Sequence, residues 1–189
     1  MSRFYTPSGR CIQKPYDKGY EYDIYERYMH GEMTSADRMK VDTSAVFYTM
    51  KGRRVYGGGG IMPDYFVPLD TTKYSKCYRE LSAKSIIINA NLKYMDKNRT
   101  KLTKDYPNFS VFNKKYQVPQ SLIDEILAQG AKEKIKPADE AERQKTIKNI
   151  KQILKGLVAR DLWDMSEYFA VIYEDDEMVL KAIELLNAK

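Results

Sequence analysis

A single histidine, His30, occurs in 189 residues. That excludes a histidine-rich metal centre and any site built on two imidazoles. Two cysteines, Cys11 and Cys77, make no disulfide framework, and neither has a metal-type partner close in sequence. No apolar run approaches the ~20 residues that a bilayer-crossing helix requires. The first residues, Met-Ser-Arg-Phe-Tyr, lack the charged-then-apolar pattern of an export leader. A G-x-S-x-G nucleophile elbow is missing. Internal repeats are missing too, and the one low-complexity feature is a run of four glycines, Gly57 to Gly60.

What is there has a globular balance: 43% hydrophobic and 31% charged residues. The net charge of +6 is unevenly spread. Residues 71–137 carry 14 Lys/Arg against 6 Asp/Glu, whereas residues 138–189 carry 8 against 11. A basic surface of this kind is local, so the overall charge does not by itself point to nucleic acid.

Composition changes near Asp70. Eight of the ten glycines precede it, with many Tyr, Val and Phe. That is the chemistry of strands and turns. After it come Lys, Glu, Ala, Leu and Ile at helical spacing. The expected fold class is α+β, with a β-rich part over 1–70 followed by a mostly helical domain over 71–189. In the first part, short strands are expected at Arg3 to Thr6 and Arg10 to Gln13, the second ending before Pro15. Tyr25 to Met29 has a weak helical pattern. Ala45 to Met50 and Arg54 to Tyr56 read as a hairpin about Lys51-Gly52. Tyr65 to Pro68 reads as extended.

In the second part Ile88, Leu92, Met95 and Leu102 define one helix face, and Pro107 ends that helix. Phe109 to Tyr116 reads as a loop with anchoring aromatics. Pro119 starts a helix with Leu122, Ile126 and Leu127 inward and Gly130 near its end. Asp139 is the expected N-cap of a long helix whose stripe runs Ile147, Ile150, Leu154, Leu157, Val158 and Leu162. Trp163 to Glu174 reads as an aromatic corner or short helix. A last helix from about Glu177 to Leu186 is expected to bury Val179, Ile183 and Leu186.

Candidate chemistry is sparse. Ser8 sits in Thr-Pro-Ser-Gly, where a turn residue is favoured over a nucleophile. His30, next to Gly31, reads as a surface or turn residue. The glycine run lacks the following helix that a phosphate cradle needs, so a bent connection is favoured. Glu174-Asp175-Asp176-Glu177 does not match a calcium loop and suits a helix N-terminus. The lysines between Lys84 and Lys104 suit the solvated side of an amphipathic helix better than RNA. The tyrosines of residues 5–28 suit packing or peptide contact better than base stacking. No catalytic, cofactor-binding or metal-ligating residue is assigned, and no cofactor is expected.

Three segments carry a resemblance. Arg3-Phe-Tyr-Thr-Pro-Ser-Gly-Arg-Cys-Ile-Gln13 resembles the Y-Y-T-P-S-G-R-x-I-Q stretch of the tail-specific, or C-terminal processing, serine peptidases. Gly60-Ile-Met-Pro-Asp64 resembles the G-I-x-P-D stretch that follows it in that family. The long gap between them, with its own hairpin, is similar to that of one bacterial branch. Ala159-Arg-Asp-Leu-Trp163 resembles the C-terminal helical region of the same branch.

The resemblance implies peptide-bond hydrolysis by a Ser-Lys dyad, in which an unprotonated lysine is the general base. It implies backbone amides that hold the oxyanion and a PDZ domain that captures C-terminal tails of polypeptides by strand addition. In the family the dyad serine and lysine both precede the Y-T-P-S-G-R stretch. Neither matches a position here, so the dyad, the PDZ domain and the export signal of a periplasmic or otherwise exported parent are expected ahead of Met1. The chain alone is then expected to be inactive. It is also expected to be poorly soluble or oligomeric, because a fragment beginning inside a sheet leaves an open edge. The alternative is a helical protein-interaction or assembly module over 71–189, capable of self-association and without chemistry. Nucleic acid is not an expected partner, and the sequence leaves a membrane surface open.

Overall fold

The computed structural model describes residues 3–14, 16, 19–39 and 43–188. The chain forms two compact units, Met1–Asp70 and Thr71–Lys189. The first is irregular. Thr6-Pro7-Ser8-Gly9 is a tight turn, with Gly9 N donating to Thr6 O at 2.8 Å and Thr6 N to Arg10 O at 2.9 Å. Where two strands were expected, Tyr5 and Cys11 form one isolated antiparallel bridge. The ladder stops there because the next donor, Phe4 N, bonds the Gln13 side chain at 3.1 Å instead of a backbone carbonyl. Pro15, the expected end of the second strand, lies outside the described residues.

A 3-10 turn over Tyr20–Tyr22 leads into helix α1, Asp23–Met29. The hairpin of β1, Val46–Tyr48, and β2, Arg54–Tyr56, pairs Phe47 with Val55. Its turn closes through Thr49 N to Arg53 O at 2.9 Å. Among the described residues of this unit, no apolar side chain is fully buried, and Tyr22, Tyr25, Tyr48 and Tyr65 are each more than half exposed.

The second unit is helical. Helix α2, Lys76–Ala83, is capped by Ser75, whose hydroxyl accepts from Tyr78 N at 3.0 Å. Helix α3, Ile86–Asp105, ends before Pro107. It buries Ile87, Asn91, Met95 and Leu102 rather than the stripe through Ile88 and Leu92, and Leu92 is 48% exposed. The helix is rotated by about one residue because Asn91 donates to Asp161 at 2.7 Å and therefore faces inward. Phe109–Lys115 is helix α4, not a loop. Asn108 caps it by accepting from Val111 N at 3.0 Å, and this cap is what makes a seven-residue helix worth forming. Helix α5, Gln120–Lys132, follows Pro119 and buries Leu122, Ile123 and Ile126, with Leu127 half-buried.

Asp139 caps helix α6, Glu140–Leu162, by accepting from Glu142 N at 2.7 Å. Helix α7, Met165–Ile172, is capped by Asp164. A 3-10 turn over Tyr173–Asp175 precedes α8, Glu177–Asn187, capped by Asp176. The expected burial in α8 fails: Ile183 is 51% and Leu186 71% exposed, and Val179 is half-buried. The helix packs on the preceding 3-10 turn, and much of its apolar side stays exposed.

Two apolar clusters result. One joins Leu81, Ile87, Ile123, Ile126, Ile150 and Leu154. The other joins Met95, Phe112, Tyr116, Val158, Ala159 and Val171, with Trp163 against it. Helix α6 contributes to both, at about 1.5–3 kcal/mol for each large apolar side chain buried. The small sheet and the many helices make the fold α+β. Among the described residues no helix is long and apolar enough to cross a membrane.

Gly130 lies in α5 where a Cβ would meet Leu81 Cδ2 at 2.5 Å and Ile135 O at 3.3 Å. Gly130→Ala gains up to about 1 kcal/mol of helix propensity but overpacks a site where Leu81 is fully buried. A net loss of about 1–2 kcal/mol is expected in urea unfolding. An unchanged or raised midpoint would show that the two helices have room to separate.

Candidate functional site

In the first unit, the two motif segments lie side by side. Gly58 N donates to Cys11 O and Gly60 N to Ile12 O, each at 2.9 Å. Gly57 N donates to Ala45 O at 3.0 Å, and Arg10 Nη1 reaches Tyr56 O at 3.3 Å. Gly58 and Gly60 take φ of 80° and 97°, which only glycine adopts freely. Three amides of the glycine run therefore face chain carbonyls and cannot cradle a phosphate. Arg53 and Asp64 pair across the end of the second segment, with Arg53 Nη1 donating to Asp64 Oδ2 at 3.0 Å. A cavity of about 280 Å³ opens between Tyr5, Cys11, Tyr16, Phe47 and Gly57.

Ser8 Oγ lies 2.9 Å from Thr6 Oγ1 inside the tight turn. It is a turn serine whose bond is to another hydroxyl, and hydroxyl partners do not activate a nucleophile. His30 Nδ1 lies 2.7 Å from Glu26 O, one turn back on α1. Each of these two candidates is held by its own local contact. Tyr16 and Tyr20 pair their rings at 4.4 Å, while Tyr22, Tyr25 and Tyr28 face outward.

In the second unit, Asp176 of the acidic run accepts from Met178 N and Val179 N at 3.0 and 3.1 Å. Asp175 pairs with Lys148 at 3.3 Å and Glu174 with Lys155 at 3.9 Å. Among the described residues no group of three His, Cys, Asp or Glu side chains is placed to hold a metal. Lys93, Lys97, Lys101 and Lys104 lie on the solvent side of α3. The Ala159–Trp163 segment is a packing joint. Asp161 accepts from Asn91 and, at 2.9 Å, from Arg160 Nε, and its backbone carbonyl accepts from Arg99. Trp163 meets Phe112 edge-on, ring centroids 5.3 Å apart.

Two further features depend on contacts between parts of the chain that are distant in sequence. Glu142 reaches away from α6: Oε2 accepts from Ala138 N at 2.7 Å and Oε1 from Cys77 N at 3.0 Å. These bonds, Ala138's first, hold its carboxyl below the usual range. Asp139-x-x-Glu142 has capping-box spacing, a signal that was available, but the link to α2 was not. Burial pushes the Cys77 thiol up, which leaves it an inert core group.

The second feature is a cavity of about 350 Å³ where Lys148, Lys151 and Lys155 of α6 face Tyr116, Val118 and Val171. Their 148–151–155 spacing is a helical stripe, but what lies across from it depends on the fold.

Residues 77–164 match the model of a family of unknown function, DUF8443. No curated protein and no solved structure matches.

Two outcomes follow from this geometry. Glu142 has a lowered folded-state pKa, so its contribution is present above the ordinary carboxylate range and is lost as pH falls through the lowered value. Glu142→Gln is expected to melt below the parent at pH 7, with the gap closing in acid. A pH-independent gap would assign the effect to shape alone. Gly60→Ala is expected to cost about 1–2 kcal/mol through backbone strain and to speed hydrogen exchange at the Gly58 amide roughly 5–30-fold. Unchanged exchange would mean that the two segments do not depend on this φ.

Proposed function

We propose that residues 3–70 are the closing part of the catalytic core of a tail-specific serine endopeptidase of the Ser-Lys type. Residues 71–189 are its attached helical domain. The parent enzyme hydrolyses peptide bonds in polypeptides captured by their C-terminal tails and works in an exported compartment. The observation that carries the reading is the pairing of the two family-like segments, through Cys11 O and Ile12 O to Gly58 N and Gly60 N, across a long intervening stretch. A second observation agrees. The first unit buries no large apolar side chain among its described residues, as expected of a piece that needs more chain over it.

No serine or lysine of residues 1–189 takes a dyad role in this proposal. Its role is structural: the Thr6–Arg10 turn and the glycine run hold a sheet edge beside the reacting centre. A protein of residues 1–189, treated with a fluorophosphonate probe and a fluorogenic peptide, is expected to show no labelled serine and no turnover. A labelled serine overturns the proposal. The gene immediately upstream of the Met1 codon is expected to continue in frame into a serine- and lysine-bearing core. A stop codon directly ahead of it would also overturn the reading.

A second reading, assembly through the helical unit, is favoured by α8, which exposes Met178, Leu180, Ile183 and Leu186. Light scattering after size exclusion, at low and high salt, tests it. Association that survives high salt fits an apolar contact, association lost at high salt fits pairing of the basic and acidic segments, and a monomer at both salts removes the reading.

A further inference from the structure

Helix α8 is apolar over more of its surface than its own unit covers. At about 100° per residue, Met178, Val179, Leu180, Ile183, Leu185 and Leu186 occupy more than half of its circumference. Glu177, Lys181 and Glu184 share the remaining edge. A helix apolar over so wide an arc calls for cover on two sides. One side is met: α8 packs on the preceding 3-10 turn, and Val179 and Leu185 are half-buried. Met178, Leu180, Ile183 and Leu186 stay exposed. The exposed surface continues onto α7. Phe169 stacks on Tyr173 of that turn, ring centroids 5.3 Å apart, and both rings are exposed.

The border of this face is acidic. Residues 164–188 carry seven carboxylates against Lys181 alone, in a chain whose net charge is +6. Glu174 and Asp175 pair with Lys155 and Lys148 of α6, and Glu184 pairs with Lys181. Glu167 and Glu177 form no ion pair among the described residues. An isologous contact with a second copy would set this border against itself. An anionic lipid surface would repel it. A cationic amphipathic helix satisfies both chemistries, because its apolar stripe covers the open side of α8 while its flanking cations face the carboxylates.

We propose that the outer face of α7 and α8 docks a basic amphipathic helix of a partner protein, laid along α8 and recognised by its side rather than by its end. Met178 adapts to the partner's apolar stripe, since an unbranched thioether side chain repacks readily. From the assembly reading the proposal takes only α8 as the contact element, and it names a different occupant from a second copy. The face lies wholly within the helical unit and involves no bond cleavage, so the peptidase reading does not bear on it.

The test uses the full chain of residues 1–189 and a dye-labelled peptide of leucine and lysine at helical spacing. Fluorescence anisotropy reads affinity, and hydrogen–deuterium exchange by mass spectrometry locates the contact. The peptide is expected to bind with a Kd of roughly 10–100 μM and to slow exchange over residues 165–186. Two control peptides, one with glutamate in place of lysine and one with leucine and lysine strictly alternating, are expected to bind at least about tenfold more weakly. Ile183→Ser and Leu186→Ser are each expected to weaken binding about fivefold, with an unchanged melting temperature because both side chains are exposed. Equal binding of the lysine and glutamate peptides, slowed exchange only outside 165–186, two unaffected variants, or no binding up to about 1 mM overturns the proposal. So does slowing of the same exchange by phosphatidylcholine vesicles alone, which would make the face a lipid contact. Slowing that follows protein concentration without peptide would assign the face to a second copy and also overturn it. Light scattering reports self-association and anisotropy reports the peptide, so the assembly reading and this proposal fail separately.

Discussion

Helix α6 is the constraint on which the helical unit depends. Its 23 residues span about 35 Å. One half, through Ile147, Ile150 and Leu154, closes the cluster with α2, α3 and α5. The other half, through Val158 and Ala159, closes the cluster with Phe112, Tyr116 and Val171. Gly156 lets α7 approach closely, since a Cβ there would lie 3.1 Å from the Tyr168 ring. The start of α6 is held as firmly as its middle. Asp139 caps it, and Glu142 ties it to the first turn of α2. Ser75, Thr146 and Asn149 add a buried polar joint between the same two helices, with Ser75 Oγ 2.7 Å from Thr146 Oγ1. Polar groups buried in this way are paired, and the pairing orients the helices more narrowly than apolar contact would.

The first unit follows different physics. It lacks a core of its own among the described residues, and its order comes from turns and short-range hydrogen bonds. The Thr6–Arg10 turn, the β1–β2 hairpin and the glycine run meet through backbone amides and carbonyls. Such contacts set a chain path without contributing much apolar burial. An exposed aromatic surface around a backbone-bonded frame is of the kind that marks an interaction surface. The peptidase proposal for residues 3–70 draws on that surface, which separates this unit from the helical one with its two buried apolar clusters.

The α6 cavity is a by-product of the same helix packing. Lys148, Lys151 and Lys155 project from α6 because the opposite stripe is engaged in the cores. The α4–α5 connection and the end of α7 then rise on either side. Carboxylates from the turn before α8 neutralise the outer lysines and leave the middle one. The acidic run that composition marked as a helix start thus has two roles: Asp176 caps α8, and Glu174 and Asp175 shape the electrostatics of the cleft.

Where a local rule suffices, the residues by themselves determined the outcome. Asp139 capped α6, Pro107 followed the end of α3, Lys51-Gly52 turned the hairpin, and the stripe from Ile147 to Val158 was buried. Each depends on neighbours within a few positions in sequence. Tertiary structure alone decided the rest. Asn91 displaced Leu92 from the buried face because its partner, Asp161, lies 70 residues away. Phe109 to Lys115 is helical through both a local cap at Asn108 and the burial of Phe112 in a cluster, and Ile183 and Leu186 stayed at least half exposed. Likewise, the meeting of Cys11 and Ile12 with Gly58 and Gly60, and of Lys151 with Tyr116 and Val118, exists only in three dimensions. Periodicity reports which residues seek cover, but which of them obtain it depends on distant surfaces that no local pattern encodes.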